Sequence, residues 1–125
     1  MYSVYSVRGI FTSMSRIEEL EKMLDENPDD PFLIYALARE YEAKAGTLQA
    51  LLMYEHLVTN YPDYIATYYH YAKLLHNAGN RSEAVRLLEK GIEEGTKGKE
   101  MHAVSEMRGN SMHFFAFSAF FNSFF

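Results

Sequence analysis

The chain of 125 residues contains no cysteine. Disulfides, thiolate metal sites and cysteine nucleophiles are therefore excluded, and the composition is compatible with the reducing cytoplasm, the expected location. No run of 18 apolar residues exists, so a membrane-spanning helix is not expected. There is no basic patch. The net charge is −5, and acid is concentrated early, in Glu18, Glu19, Glu21, Asp25, Glu26, Asp29 and Asp30. Nucleic acid is not an expected partner. The sequence also lacks a phosphate-binding glycine loop, a nucleophile elbow and an HExxH motif. Its five histidines are scattered. His70 and His76 point different ways on a helix. His102 and Glu106 share a face, but a catalytic zinc needs three ligands and a water. The early carboxylates read as a solvated helix face, because nothing evident buries them to shift a pKa. These absences together predict a protein that is not an enzyme and takes no cofactor or metal.

What the chain does contain is one 34-residue unit written twice. Ile34, Leu37, Ala38, Tyr41, Ala50 and Tyr54 align without a gap on Tyr68, Tyr71, Ala72, Leu75, Ala84 and Leu88. Large residues fall on large and small on small. Two further pairs, Leu57 with Gly91 and Pro62 with Thr96, break the correspondence. A fixed period of this length marks a stacked-repeat architecture. Ile34, Leu37, Ala38 and Tyr41 recur at three- and four-residue spacing and so share one helix face, as do Ala50, Tyr54 and Leu57. If paired helices run antiparallel, Ala38 faces Ala50 and Ala72 faces Ala84. Small residues there let the axes approach to about 8–10 Å. Gly91 inside a helix should cost about 1 kcal/mol against alanine, which predicts a close contact with a neighbouring helix.

Taken in order, Ser15 and Glu18 form a capping-box pattern, followed by an apolar stripe of Ile17, Leu20, Met23 and Leu24. Asn27-Pro28 ends that helix. Asp30-Pro31 starts the next, which should run to about Lys44. Gly46 and Thr47 turn the chain, and Leu48 to about Asn60 returns. Asp63 is expected to cap a helix from Tyr64 to about Asn77. After the turn at Ala78-Gly79-Asn80, Asn80 and Glu83 repeat the capping-box pattern. The following helix should stop near Gly95. Lys99 to Arg108 reads as a partial capping helix with Met101, Val104 and Ser105 inward.

The two units resemble tetratricopeptide repeats (TPR), whose signature places large, large, small and large residues in a first helix, then small, aromatic, small and proline in a second. Departures are the missing tryptophan and first-helix glycine, and Leu57, Leu88 and Thr96 at positions usually small, aromatic and proline. The resemblance implies an all-α fold, a right-handed stack of antiparallel helix pairs (a TPR-like α-solenoid), with repeats at about 31–64 and 65–98 inside a helical domain at 15–108. It also implies a concave groove lined by the first helices. By position, Tyr35, Arg39, Glu42 and Ala43 would line it from the first repeat, and Tyr69, Lys73, His76 and Asn77 from the second. Tyrosine and base then recur at matching places: Tyr35 with Tyr69, and Arg39 with Lys73. Such a surface suits an acidic peptide or a free C-terminal carboxylate. A subfamily grips chaperone C-termini with a clamp of lysine and asparagine. Here Tyr35 stands at the lysine place, and Arg39 and His70 at the asparagine places, so that partner is not expected. The implied function is non-catalytic protein binding.

The alternative is a homo-oligomeric building block, such as a homodimer, associating through helix ends or the tail, since two repeats are fewer than stacking favours. Residues 1–14 read as a disordered extension, with Met14 resembling a natural start. Seven of the nine phenylalanines fall in the charge-free segment 111–125 of the tail (109–125). That tail is too short to span a bilayer and is an aggregation hazard. It reads as an altered end or a segment folded onto an apolar face, ahead of a membrane-interface element.

Overall fold

The computed structural model describes residues 15–109. The expectations for the N-terminal extension and the phenylalanine-rich tail lie outside them. Among the described residues all regular structure is helical: α1 (Arg16–Glu26), α2 (Pro31–Ala43), α3 (Thr47–Asn60), α4 (Ala66–Asn77), α5 (Arg81–Lys97) and α6 (residues 101–109). The chain divides into two compact units, with the division inside α3 between Met53 and Tyr54.

In the first unit, α1 packs against α2. Ser15 has extended backbone angles, and its hydroxyl accepts from the Glu18 N–H at 3.2 Å, so the predicted N-cap forms. Asp30 likewise accepts from the Phe32 N–H at 2.9 Å, while Pro31 occupies the first turn, where no N–H is required. Leu20, Leu33 and Leu37 form the core, flanked by Ile17, Leu24, Ala36, Tyr41 and Met53. Full burial of one such leucine contributes about 1.5–3 kcal/mol. Met23, expected in the α1 stripe, is instead 44% exposed. The buried stripe is the narrow row Ile17, Leu20, Leu24, and Met23 falls on its flank. Tyr41 donates its O–H to Glu21 Oε1 at 3.1 Å and pins the two helices. Burial, then the Glu21 carboxylate, raises its phenol above the ordinary tyrosine value.

In the second unit, α4 packs against α5. Ala72 and Ala84 are both fully buried, as the close approach of these helices requires. Tyr54 is also fully buried and stacks on Tyr71, with ring centroids 5.8 Å apart. Two expected caps do not form. Asp63 does not cap α4, which begins two residues later than expected. Its N-cap is Ile65, already in helical conformation, and the N–H groups of Thr67 and Tyr68 go to the carbonyls of Tyr64 and Ile65. The backbone closes this first turn itself. Asn80 precedes α5 but makes no side-chain cap bond. Glu83 is drawn the other way along the helix, to Arg86, whose Nε donates to Oε2 at 2.9 Å. That charge-assisted bond holds the Glu83 carboxyl below its ordinary value.

Gly95 does not end α5 either. The helix continues to Lys97, and Gly95 is buried within it. Gly91 and Gly95 lie four residues apart on one face, and α6 crosses them. A Cβ built on Gly91 would stand 2.6 Å from both Met107 Sδ and Tyr68 Cβ, and one on Gly95 would stand 2.8 Å from Val104 Cγ2. The expected close contact at Gly91 is present. On α6 the inward residues are Val104 and Met107, both buried, whereas Met101 and Ser105 are exposed. The correction follows from the glycine spacing, because Val104 and Met107, three apart, are the pair that seats over Gly95 and Gly91.

Three helices end in the same way. Ala45, Gly79 and Lys99 take the left-handed conformation, at φ of 59°, 89° and 60°. The following N–H then bonds back over the last turn: Gly46 to the Tyr41 carbonyl at 2.7 Å, Asn80 to Leu75 at 2.9 Å, and Glu100 to Gly95 at 2.8 Å. Ala45 and Gly79 occupy equivalent places 34 residues apart. Only glycine adopts this conformation without a clash between Cβ and carbonyl, which costs an alanine about 1–2 kcal/mol. Part of that is offset by the larger unfolded-state entropy of glycine, about 0.4–1 kcal/mol. Ala45→Gly should therefore stabilise the protein by about 0.5–1 kcal/mol. Gly79→Ala should destabilise it by a similar amount, since no atom lies within 4 Å of its Cβ position and backbone strain acts alone. Denaturant midpoints of the two variants should move in opposite directions.

Candidate functional site

The fold leaves one face of α2 and one face of α4 carrying polar and aromatic groups. On α2, Tyr35, Arg39 and Glu42 follow at four- and three-residue spacing and share a face. Arg39 Nη1 donates to Glu42 Oε2 at 2.9 Å, with the Arg39 side chain 44% exposed and the Glu42 side chain 17%. Tyr35 is half-buried beside them. Its phenol is raised above the ordinary value by burial, lowered by the Arg39 guanidinium and raised again by the Glu42 carboxylate. The three predicted residues of this helix therefore form one cluster, and Ala43 next to them is exposed.

On α4, Tyr69, Lys73, His76 and Asn77 also share a face by register. Tyr69 and His76 are half-buried, while Lys73 and Asn77 are exposed. The Tyr69 ring stands edge-on to His70, with centroids 4.9 Å apart. No described carboxylate lies within ion-pair distance of Lys73. The positions three and four residues away on its helix hold Tyr69, His70, His76 and Asn77, none of them acidic. The two faces thus differ in a single respect of charge. The place of Glu42 in the first repeat is taken by His76 in the second.

Elsewhere, His102 contacts Glu106 at 3.2 Å in an exposed pair on α6. Among the described residues no three potential metal ligands cluster. None of the described helices is long and apolar enough to cross a membrane. A surface that the repeat signature does not single out is the outer side of α3, where Leu48 and Leu52 are 67% and 58% exposed. A signal was present: their counterparts 34 residues on are Ser82 and Arg86, so the repeat does not require leucine at those places.

A helical chain in which one helix pair is written twice, with Ala72 and Ala84 at the close crossing of α4 and α5 and a further helix over Gly91 and Gly95, is a helical-repeat protein. Solved structures identify which kind. A tetratricopeptide repeat domain protein from Salinibacter ruber, determined in solution, is 33% identical over 70% of this chain and 88% of its own, with a TM-score of 0.68. A crystal structure of such a domain protein from the same organism is 32% identical over 70% of this chain and 98% of its own, with a TM-score of 0.68. A protein from Bordetella parapertussis shares the fold at 21% identity and a TM-score of 0.73, over 86% of this chain and 93% of its own. No protein-family model and no curated relative matches the sequence. The chain belongs to the tetratricopeptide repeat family.

Proposed function

We propose that this protein is a non-catalytic interaction module that binds an acidic segment or C-terminal carboxylate of a partner protein. The binding residues are Tyr35, Arg39 and Glu42 on α2, and Tyr69, Lys73, His76 and Asn77 on α4. The observation that carries the reading is the exposed Lys73 beside a half-buried Tyr69, on a helix face with no carboxylate of its own. A desolvating tyrosine ring next to an uncompensated ammonium favours an anionic partner. A charge-assisted bond contributes about 1.5–3 kcal/mol, so with aromatic contact the expected affinity is about micromolar.

The test is an array of immobilised peptides, half acidic and half basic, some with free and some with amidated C-termini. The wild-type chain should be retained by acidic peptides. The variant carrying Arg39→Glu and Lys73→Glu should lose that retention while keeping its helical circular dichroism. Equal retention of both proteins would remove these faces from the function. Binding of the chain only to itself would favour the self-association reading, for which the exposed Leu48 and Leu52 offer an apolar surface.

A further inference from the structure

The two helix faces carry the same tyrosine and a base at the same place, yet they are not equivalent. On α2 the guanidinium of Arg39 is already engaged by Glu42 at 2.9 Å, within its own helix. Glu42 is the less exposed partner, with only 17% of its side chain in solvent. A carboxylate in that position lies beside the base and shares the helix face of Tyr35, two turns away. On α4 the equivalent place is His76, and Lys73 has no ion-pair partner among the described residues.

We infer that Glu42 is a built-in competitor for the anionic ligand at Arg39, and that Lys73 on α4 is the dominant anion-reading residue. This rests on the proposed binding of acidic segments and deepens it by ranking the two faces. The physical basis is exchange of partners. A ligand carboxylate that reaches Arg39 must displace Glu42, which already supplies the same chemistry at an effective concentration set by a three-residue helical spacing. It must also approach the Glu42 charge, which repels it. A ligand carboxylate that reaches Lys73 has no described carboxylate to displace. Arg39 therefore adds little net affinity in the native protein, and removing the Glu42 charge should unmask it.

The effect is read by titrating the full chain into fluorescein-labelled hexaglutamate with a free C-terminus, with hexaglutamine and hexalysine as controls. Lys73→Gln should weaken hexaglutamate binding about tenfold or more. Arg39→Gln alone should change it less than about twofold. Glu42→Gln should strengthen it by about two- to fivefold, the range set by an exposed ion pair. The double variant Arg39→Gln with Glu42→Gln should lose that gain, which separates release of Arg39 from a general loss of negative charge. Hexaglutamate binding with Arg39→Gln and Lys73→Gln equally damaging, or with no gain in Glu42→Gln, would overturn the inference and leave acidic-segment binding standing. No preference for hexaglutamate over hexaglutamine would overturn both.

Discussion

Gly91→Ala should destabilise the protein by about 2–3 kcal/mol, although alanine is the better helix former by about 1 kcal/mol. The added methyl would lie 2.6 Å from Met107 Sδ and 2.6 Å from Tyr68 Cβ, with Tyr68 Cγ at 2.9 Å. These contacts differ in how they can be relieved. Met107 is an unbranched side chain whose end can swing away. Tyr68 Cβ is fixed to the α4 backbone, so relief there means moving α4 from α5 and opening the close crossing at Ala72 and Ala84. Gly95→Ala should cost less. Its methyl meets Val104 Cγ2 at 2.8 Å but Ile65 Cγ2 only at 3.7 Å, so a shift of α6 suffices. Urea unfolding of Gly91→Ala, Gly95→Ala and the double variant Gly91→Ala with Met107→Ala measures the order. The methionine truncation should not rescue Gly91→Ala, because the tyrosine contact remains. A Gly91→Ala protein as stable as wild type would mean that α4 and α5 lie further apart than the structure places them.

That glycine shows what a sequence of this kind discloses and what it conceals. The duplication places each residue twice, so Ala38, Ala50, Ala72 and Ala84 could be assigned to close helix crossings, and all four are fully buried. Gly91 could be assigned a close contact because its helical cost requires compensation. Past the second repeat no counterpart exists, and the facing of the last helix rests on a single pattern. Met101 and Val104 are spaced as well for a helix face as Val104 and Met107. Only the packed position of Gly91 and Gly95 decides between them. The end of α5 is ambiguous for the same reason: a glycine near a helix end looks like a stop, and only the Val104 contact shows that Gly95 is a crossing. The two missing caps are local competitions that residue type does not resolve. Glu83 has Asn80 behind it and Arg86 ahead, and the guanidinium wins. At the two candidate faces register located the residues, whereas the pairing of Arg39 with Glu42 is read from the fold. Which faces carry a partner depends on that partner's chemistry, which a fold does not encode.

Tyr68→Ala should cost about 3–5 kcal/mol, the largest loss of any single truncation in the second unit. Tyr68 is fully buried, its ring root touches the Gly91 crossing, and its O–H donates to the Pro62 carbonyl at 2.6 Å. One side chain therefore holds α4, α5 and the loop that precedes α4. Tyr68→Phe separates the ring from the hydroxyl and should cost about 1 kcal/mol, with the Pro62 carbonyl left without its donor. The two forms should also differ in pH dependence. Burial first, and then the Glu94, Asp63 and Glu93 carboxylates, push the Tyr68 phenol up to about 12 from 10. A raised pKa favours the protonated folded form, so this contribution is intact below pH 10. Between pH 10 and about 12 the unfolded chain ionises while folded Tyr68 retains its proton, and stability falls. The gap corresponds to about 2–3 kcal/mol at its full extent. Tyr35, Tyr41 and Tyr71 are raised as well and share the alkaline slope. Phenylalanine at 68 removes one contributor only. Urea midpoints at pH 8 and pH 11 should show Tyr68→Phe clearly weaker at the lower pH and close to wild type, or above it, at the higher. A constant difference at the two values would mean that Tyr68 ionises alike in the folded and unfolded chains, and that its hydroxyl is held by the Pro62 carbonyl without the desolvation the buried site implies.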